Sequence, residues 1–166
     1  MKKNQVQHDQ YFTKKETAIK CYTTCRSLIT PDFYIEPSAG SGSFYNLLPE
    51  GKRLGFDIQK MHEEIIQSDF LKTDIDEYIK DYKSICFVGN PPFGKNANLA
   101  VSFFNHCAKY GKYIALILPR TFRKFSIIKR LNKNFHLIYD ELLETNSFFL
   151  KDNTDYPVHC VFQVWE

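Results

Sequence analysis

The segment Gly89-Asn90-Pro91-Pro92-Phe93-Gly94 carries the most specific chemistry in the chain. Two consecutive prolines fix φ and remove two N–H donors, so nearby carbonyls can be aimed into a cleft without competing donors. A planar amino group has two protons and needs two acceptors. Asn90 can supply its side-chain oxygen and Pro91 its main-chain carbonyl, while Phe93 can stack on a ring carrying that amine. A plain Pro-Pro turn is the competing account, and the added asparagine, aromatic and glycine weigh against it.

Three other segments offer contacts of a different kind. In Glu36-Pro37-Ser38-Ala39-Gly40-Ser41-Gly42-Ser43-Phe44 two glycines let the backbone turn tightly and approach a ligand with no Cβ in the way, and a helix after it would present free N–H groups. This is neither the dinucleotide fingerprint nor a P-loop, and alone a structural turn explains it nearly as well. Asp57 stands 21 residues after Glu36, where doubly wound folds place an acid that accepts from ribose hydroxyls, although a helix cap or turn accounts for it equally in isolation. Ser68-Asp69-Phe70 offers an acceptor for an exocyclic amine and an aromatic face for a purine ring, or simply a turn and a core phenylalanine.

Positions 120–133 add Arg120, Arg123, Lys124, Lys129, Arg130 and Lys133 without one acidic residue, with Phe122 and Phe125 interleaved. Alone, such a run is a solvated helix face; beside a ligand cleft it becomes a phosphate path.

These residues need a frame. Short β-branched and aromatic runs at 32–36, 53–58, 65–69, 84–89, 112–118, 135–143 and 158–165 predict strands. Helices are expected at 14–28, 43–48, 74–80, 98–109 and 125–132, with Asn96 or Asn98 as a cap and Gly111 as a stop. Alternation of this kind predicts an α/β fold, a doubly wound and mainly parallel sheet with helices on both faces. The last two runs are separated only by the short polar stretch 146–157, so they should close the sheet as an antiparallel hairpin. Ligands of such sheets bind beyond the carboxyl ends of the strands, where the segments above fall.

At 166 residues the chain is sized for a single domain over 1–166, and 43% hydrophobic against 25% charged residues excludes a disordered or collagen-like protein. No apolar run reaches the ~18 residues of a membrane helix, and Met1-Lys2-Lys3-Asn4-Gln5 leads into polar sequence; we expect a soluble intracellular protein, cytoplasmic or nuclear. Cys21, Cys25, Cys86, Cys107 and Cys160 show no metal-ligand spacing and read as reduced packing residues.

The ordered set Gln10-Tyr11-Phe12-Thr13, Glu36–Phe44, Phe56-Asp57-Ile58, Ser68-Asp69-Phe70 and Asn90-Pro91-Pro92-Phe93 resembles the S-adenosylmethionine-dependent N6-adenine methyltransferases, across nearly the whole chain. That group includes gamma-class and type I restriction-modification DNA methylases and some rRNA and mRNA-cap adenosine N6-methyltransferases with the Asn-Pro-Pro-Phe form. The resemblance implies a Rossmann-like class I fold with a seven-stranded sheet, S-adenosyl-L-methionine as cofactor, and DNA or RNA as substrate. It implies that Gln10, Tyr11, Phe12 and Thr13, within an N-terminal segment and helix over 1–30, close over the methionine part of the cofactor. Glu36, Ala39, Gly40 and Gly42 would shape the pocket, Asp57 would hold the ribose, and Asp69 would accept from the cofactor adenine with Ile58 and Phe70 flanking that ring. Asn90, Pro91, Pro92 and Phe93 would form the catalytic turn, Asn90 also bordering the cofactor. Phe148 and Phe149 resemble a second base-contacting segment. With Arg120, Phe122, Arg123 and Lys124 at a neighbouring strand end, they complete the expected substrate surface.

No insertion is large enough for the target-recognition region of the restriction methylases, so a protein partner or substrate shape would supply selectivity. Two other activities compete: protein glutamine N5-methylation, whose enzymes usually carry tyrosine at the position of Phe93, and a non-catalytic cofactor-binding subunit. Intact residues at the cofactor and Asn90 positions argue against the latter.

Overall fold

A computed structural model describes residues 11–166. In chain order the elements are β1 (Phe12–Thr13), α1 (Lys15–Leu28), β2 (Phe33–Glu36), β3 (Arg53–Asp57), β4 (Ile66–Gln67), α2 (Asp76–Ile79), β5 (Ile85–Gly89), α3 (Asn98–Tyr110), β6 (Tyr113–Pro119), α4 (Phe125–Ile128), β7 (Leu137–Leu142), β8 (Phe148–Phe149) and β9 (Cys160–Trp165), with short 3₁₀ turns between several of them.

Seven strands form one sheet in the order β4-β3-β2-β5-β6-β9-β7. The first five pair in parallel, whereas β9 runs antiparallel to both β6 and β7. The expected α/β sheet with its closing antiparallel pair is therefore present. Strands β2 and β5 are buried along their whole length, and β6 along all but its last residue, which is why they read as unbroken apolar runs. Each face of the sheet is covered. On one side α1 sets Ala18, Cys21, Tyr22 and Cys25 at helical spacing against Tyr34, Cys86 and Val88. On the other, α3 packs Ala100, Val101, Phe104 and Cys107 against Phe87, Ile114 and Leu116. All five cysteines are buried and free, and burial pushes the Cys21 and Cys160 thiols up to about 12, so they serve as packing residues.

Three features depart from expectation. The glycine-rich loop leads not into an α-helix but into a single 3₁₀ turn, Tyr45–Leu47, so no helix terminus offers N–H groups there. Neither asparagine caps α3: its N-cap is Ala97, and Asn96 and Ala97 both lie in the left-handed region. The Phe93 carbonyl already accepts the N–H groups of Leu99 and Ala100, which leaves a side-chain cap little to do. Finally, β1 and β8 form a separate two-stranded antiparallel sheet, pairing Phe12 with Phe149 and Thr13 with Phe148.

Candidate active site

Neighbours β2 and β5 mark the point where strand order reverses, and a doubly wound sheet opens its ligand crevice beyond the carboxyl ends of such strands. β2 ends on Glu36 and β5 on Gly89, followed at once by Asn90. The two ends touch: a Cβ on Gly89, whose φ is +148°, would lie 3.0 Å from Glu36 Cγ. Glycine here brings a carboxylate against bare backbone.

Asn90 is held from two directions. Its side-chain NH2 donates to Thr13 Oγ1 at 3.2 Å, and the Ser38 hydroxyl donates to its main-chain oxygen at 3.0 Å. Thr13 is itself buried, and β1 is anchored by β8 and by the Lys14 N–H donating to the Ser147 carbonyl. Three segments distant in sequence therefore meet at one asparagine.

The glycine loop is tied to β3. Ala39 N–H donates to the Phe56 carbonyl, and Gly40 N–H to Asp57 Oδ2, both within 2.9 Å, while Asp57 Oδ1 accepts from Gln59 N–H. Phe12 lies over Gly40, 3.6 Å from where a Cβ would stand, and stacks on Phe149 with ring centres 5.6 Å apart. Gly42 is overlain by His62 and Asn46, which hydrogen-bond each other at 3.0 Å.

Among the described residues, Glu36 Oε2 and Asn90 Oδ1 are buried acceptors without a hydrogen-bond partner. An unsatisfied buried acceptor costs ~1–3 kcal/mol, so two of them at adjacent strand ends call for ligand donors. Burial pushes the Glu36 carboxyl well above its ordinary 4.5; the Tyr45 backbone N–H opposes the rise and the nearby Asp57 charge adds to it. The folded protein thus holds this proton more tightly than the unfolded chain. The associated stability is complete below the unfolded value and is lost as pH climbs toward the folded one. Glu36→Gln, neutral throughout, is expected to remove that loss. Its denaturation midpoint measured against wild type should show an advantage that widens as pH rises above 4.5.

The other expected positions divide. Gln10 lies outside the described residues. Ala39 is buried beneath the loop, and Ile58 is 62% exposed just past β3. Asp69 is half-buried, its Oδ1 accepting from Leu71 N–H and its Oδ2 3.6 Å from Lys72. Pro91 is buried, Pro92 and Phe93 half-buried, and Phe93 sits edge-on to Tyr11 with ring centres 5.6 Å apart. Tyr11 in turn contacts Phe148 and Tyr156, so an aromatic row backs the Asn-Pro-Pro turn.

Four of the expected positions are engaged within the protein itself. Phe70 is 2% exposed in the core, stacked on Phe103 and edge-on to His106. Phe122 is fully buried beside Phe104, and Phe148 fully buried under Tyr11, so both rings pack within the structure. Arg123 is exposed, and its guanidinium pairs with Asp140 at 2.6 Å. Arg120 and Lys124 remain exposed, and Phe149 half-buried. Ser38 and Tyr156 were missed as partners of Asn90 and Tyr11, and nothing in local sequence marks them.

A mixed seven-stranded sheet with its crevice at the β2–β5 reversal and a glycine loop tied to the acid ending β3 defines the class I, S-adenosylmethionine-dependent methyltransferase fold. Residues 50–164 match the EDM2 methyltransferase-like domain, and the chain belongs to that family. Solved structures share the fold at low identity. A "putative RNA methyltransferase" from Pyrococcus horikoshii is 15% identical over 99% of this chain and 90% of its own, with a TM-score of 0.66. The N-methyltransferase NodS from Bradyrhizobium japonicum, solved with S-adenosyl-L-homocysteine, is 11% identical over 91% and 85%, with a TM-score of 0.60. A tRNA (uracil-54, C5)-methyltransferase from Pyrococcus abyssi, also with S-adenosyl-L-homocysteine, is 13% identical over 90% of this chain but 37% of its own, with a TM-score of 0.58. No curated protein matches the chain in sequence. Among the described residues no helix is long and apolar enough to cross a membrane.

The acceptors present suit S-adenosylmethionine, which brings an ammonium, two ribose hydroxyls and an adenine amine as donors. The buried orphan oxygen of Glu36 and the carboxylates of Asp57 and Asp69 are the groups such a molecule needs.

Proposed function

We propose that the chain transfers a methyl group from S-adenosylmethionine to the exocyclic N6 amine of adenine in nucleic acid. The observation that carries this reading is the buried, unpartnered Oδ1 of Asn90 on an amide whose nitrogen is already engaged by Thr13. That tether leaves the oxygen to accept one proton of an incoming amine, and the Pro91 carbonyl would take the second. Glu36, Ala39, Gly40 and Gly42 form the cofactor pocket in this account, with Asp57 on the ribose, Asp69 and Ile58 at the adenine, and Gln10 to Thr13 closing over the methionine part.

When bound, the cofactor supplies a methyl group made electrophilic by its sulfonium. The obstacle lies on the other side, because the amine lone pair is delocalised into the purine ring. Two acceptors at Asn90 and Pro91 favour a more tetrahedral nitrogen with its lone pair directed at the methyl carbon, which is assistance realised in the transition state. Asn90 is too weakly basic to remove a proton first. Methylation leaves the nitrogen cationic and acidic, so the proton departs to water afterwards. A duplex hides N6, so the adenine must be extruded at a cost of about a few kcal/mol or be unpaired already, and in this reading Phe93 takes the ring.

The test is transfer of labelled methyl groups to single-stranded DNA, duplex DNA, rRNA and tRNA, with the product identified by mass spectrometry. N6-methyladenine is the expected product. Labelling of a glutamine side chain in protein, with nucleic acid untouched, would replace this reading with the amide-methylating one.

A further inference from the structure

Phe122 and Phe125 are three residues apart, yet the first is fully buried and the second 79% exposed, the most exposed large apolar side chain among the described residues. Phe125 opens α4 and borders a groove of about 320 Å³ whose apolar floor includes Ile128, Phe135 and Trp165 and whose rim carries Lys129 and Lys133. Neither lysine, nor Lys124 before them, forms an ion pair among the described residues. From position 120 to 139 there is no acidic residue, and the neighbouring Glu166 faces Lys112 at 4.0 Å.

The place of the groove in the fold follows from β6. The chain leaves the carboxyl end of β6 at Pro119, on the same sheet edge as Asn90, because β6 pairs with β5 through Gly89 and Leu116. It ends beside Trp165, which pairs with Ile114 at the opposite end of β6. The groove therefore lies on the flank of the sheet, toward the end opposite the candidate active site. Its occupant must present flat apolar faces together with repeated negative charge, and an unpaired nucleic-acid strand does both. We infer that this groove binds a single-stranded stretch of the substrate away from the target adenine, one base stacking on Phe125 and the adjoining phosphates on Lys129 and Lys133. The inference rests on nucleic acid being the substrate, and it names the form in which that substrate is held: unpaired.

A short fluorescein-labelled oligouridine strand tests it, since without adenine it reports on the groove and not on the target pocket. Anisotropy titrations should show Phe125→Ala weakening binding by roughly fivefold or more, while Phe125→Trp keeps it. Lys129→Gln with Lys133→Gln should flatten the slope of log affinity against log salt by about 1.4. Melting temperature and S-adenosyl-L-homocysteine binding should be unchanged in all of these, as the residues are exposed. Equal oligouridine affinity in wild type and variants overturns the inference. So does polyglutamate binding that depends on Phe125 while oligouridine fails to bind, which would give the groove to an acidic peptide. Methyl transfer to adenine-bearing RNA is measured separately. Its absence beside Phe125-dependent oligouridine binding would sink the methylation reading and leave the groove standing.

Discussion

Asn90→Ala is expected to lower methyl transfer by on the order of 10³-fold while S-adenosyl-L-homocysteine still binds. The size follows from what the side chain contributes. Asn90 Oδ1 has no partner among the described residues, and its orientation is set by the bond from its amide to Thr13. In the proposed mechanism, removing it deletes an oriented acceptor at the reacting nitrogen and leaves the Pro91 carbonyl to act alone. Because the group acts on the amine and not on the pocket floor, the loss should fall on kcat. Single-turnover rates with saturating cofactor would measure it. A variant that keeps the wild-type rate would remove Asn90 from the chemistry and the N6 reading with it.

Phe70→Ala separates two accounts of one residue. The ring lies 5.5 Å from Phe103, 5.8 Å from Phe87 and 4.8 Å from His106, centre to centre, and is 2% exposed. Truncating a phenylalanine in such a place costs about 3–5 kcal/mol, through lost burial and the cavity left behind. For a domain of this length that lowers Tm by roughly 10 °C or more. Cofactor affinity, measured below the new Tm, should change little. If affinity collapsed with Tm intact, Phe70 would be a cofactor contact after all, as the resemblance implied.

The difference between these residues shows what sequence can convey. Strands β5 and β6 announce themselves because burial on both faces demands an unbroken apolar run, and the acids and glycines that end the strands follow from their place in that order. The facing of an aromatic at a strand end is another matter. Phe70, Phe122 and Phe148 stand in the same local contexts as residues that line clefts, and only the rotation of the adjoining turn decides which way each ring points. Two-residue strands such as β1 and β8 have no periodicity to detect. The bond from Asn90 to Thr13 spans 77 positions, and the pairing of Arg123 with Asp140 depends on where β7 comes to lie. A run of cations in sequence cannot reveal which of its members a distant carboxylate has claimed.

The small sheet of β1 and β8 joins residues 12 and 149, and it is β1 that carries the threonine gripping Asn90. During synthesis the Asn-Pro-Pro turn leaves the ribosome well before Phe148 and Phe149 do, so for that interval Thr13 has no strand to dock against. Loop closure over so long a separation is slow compared with local turns. The corner around Asn90 therefore cannot be completed before residues 148 and 149 have been made, and it closes together with the far side of the large sheet, whose β9 follows them in the chain.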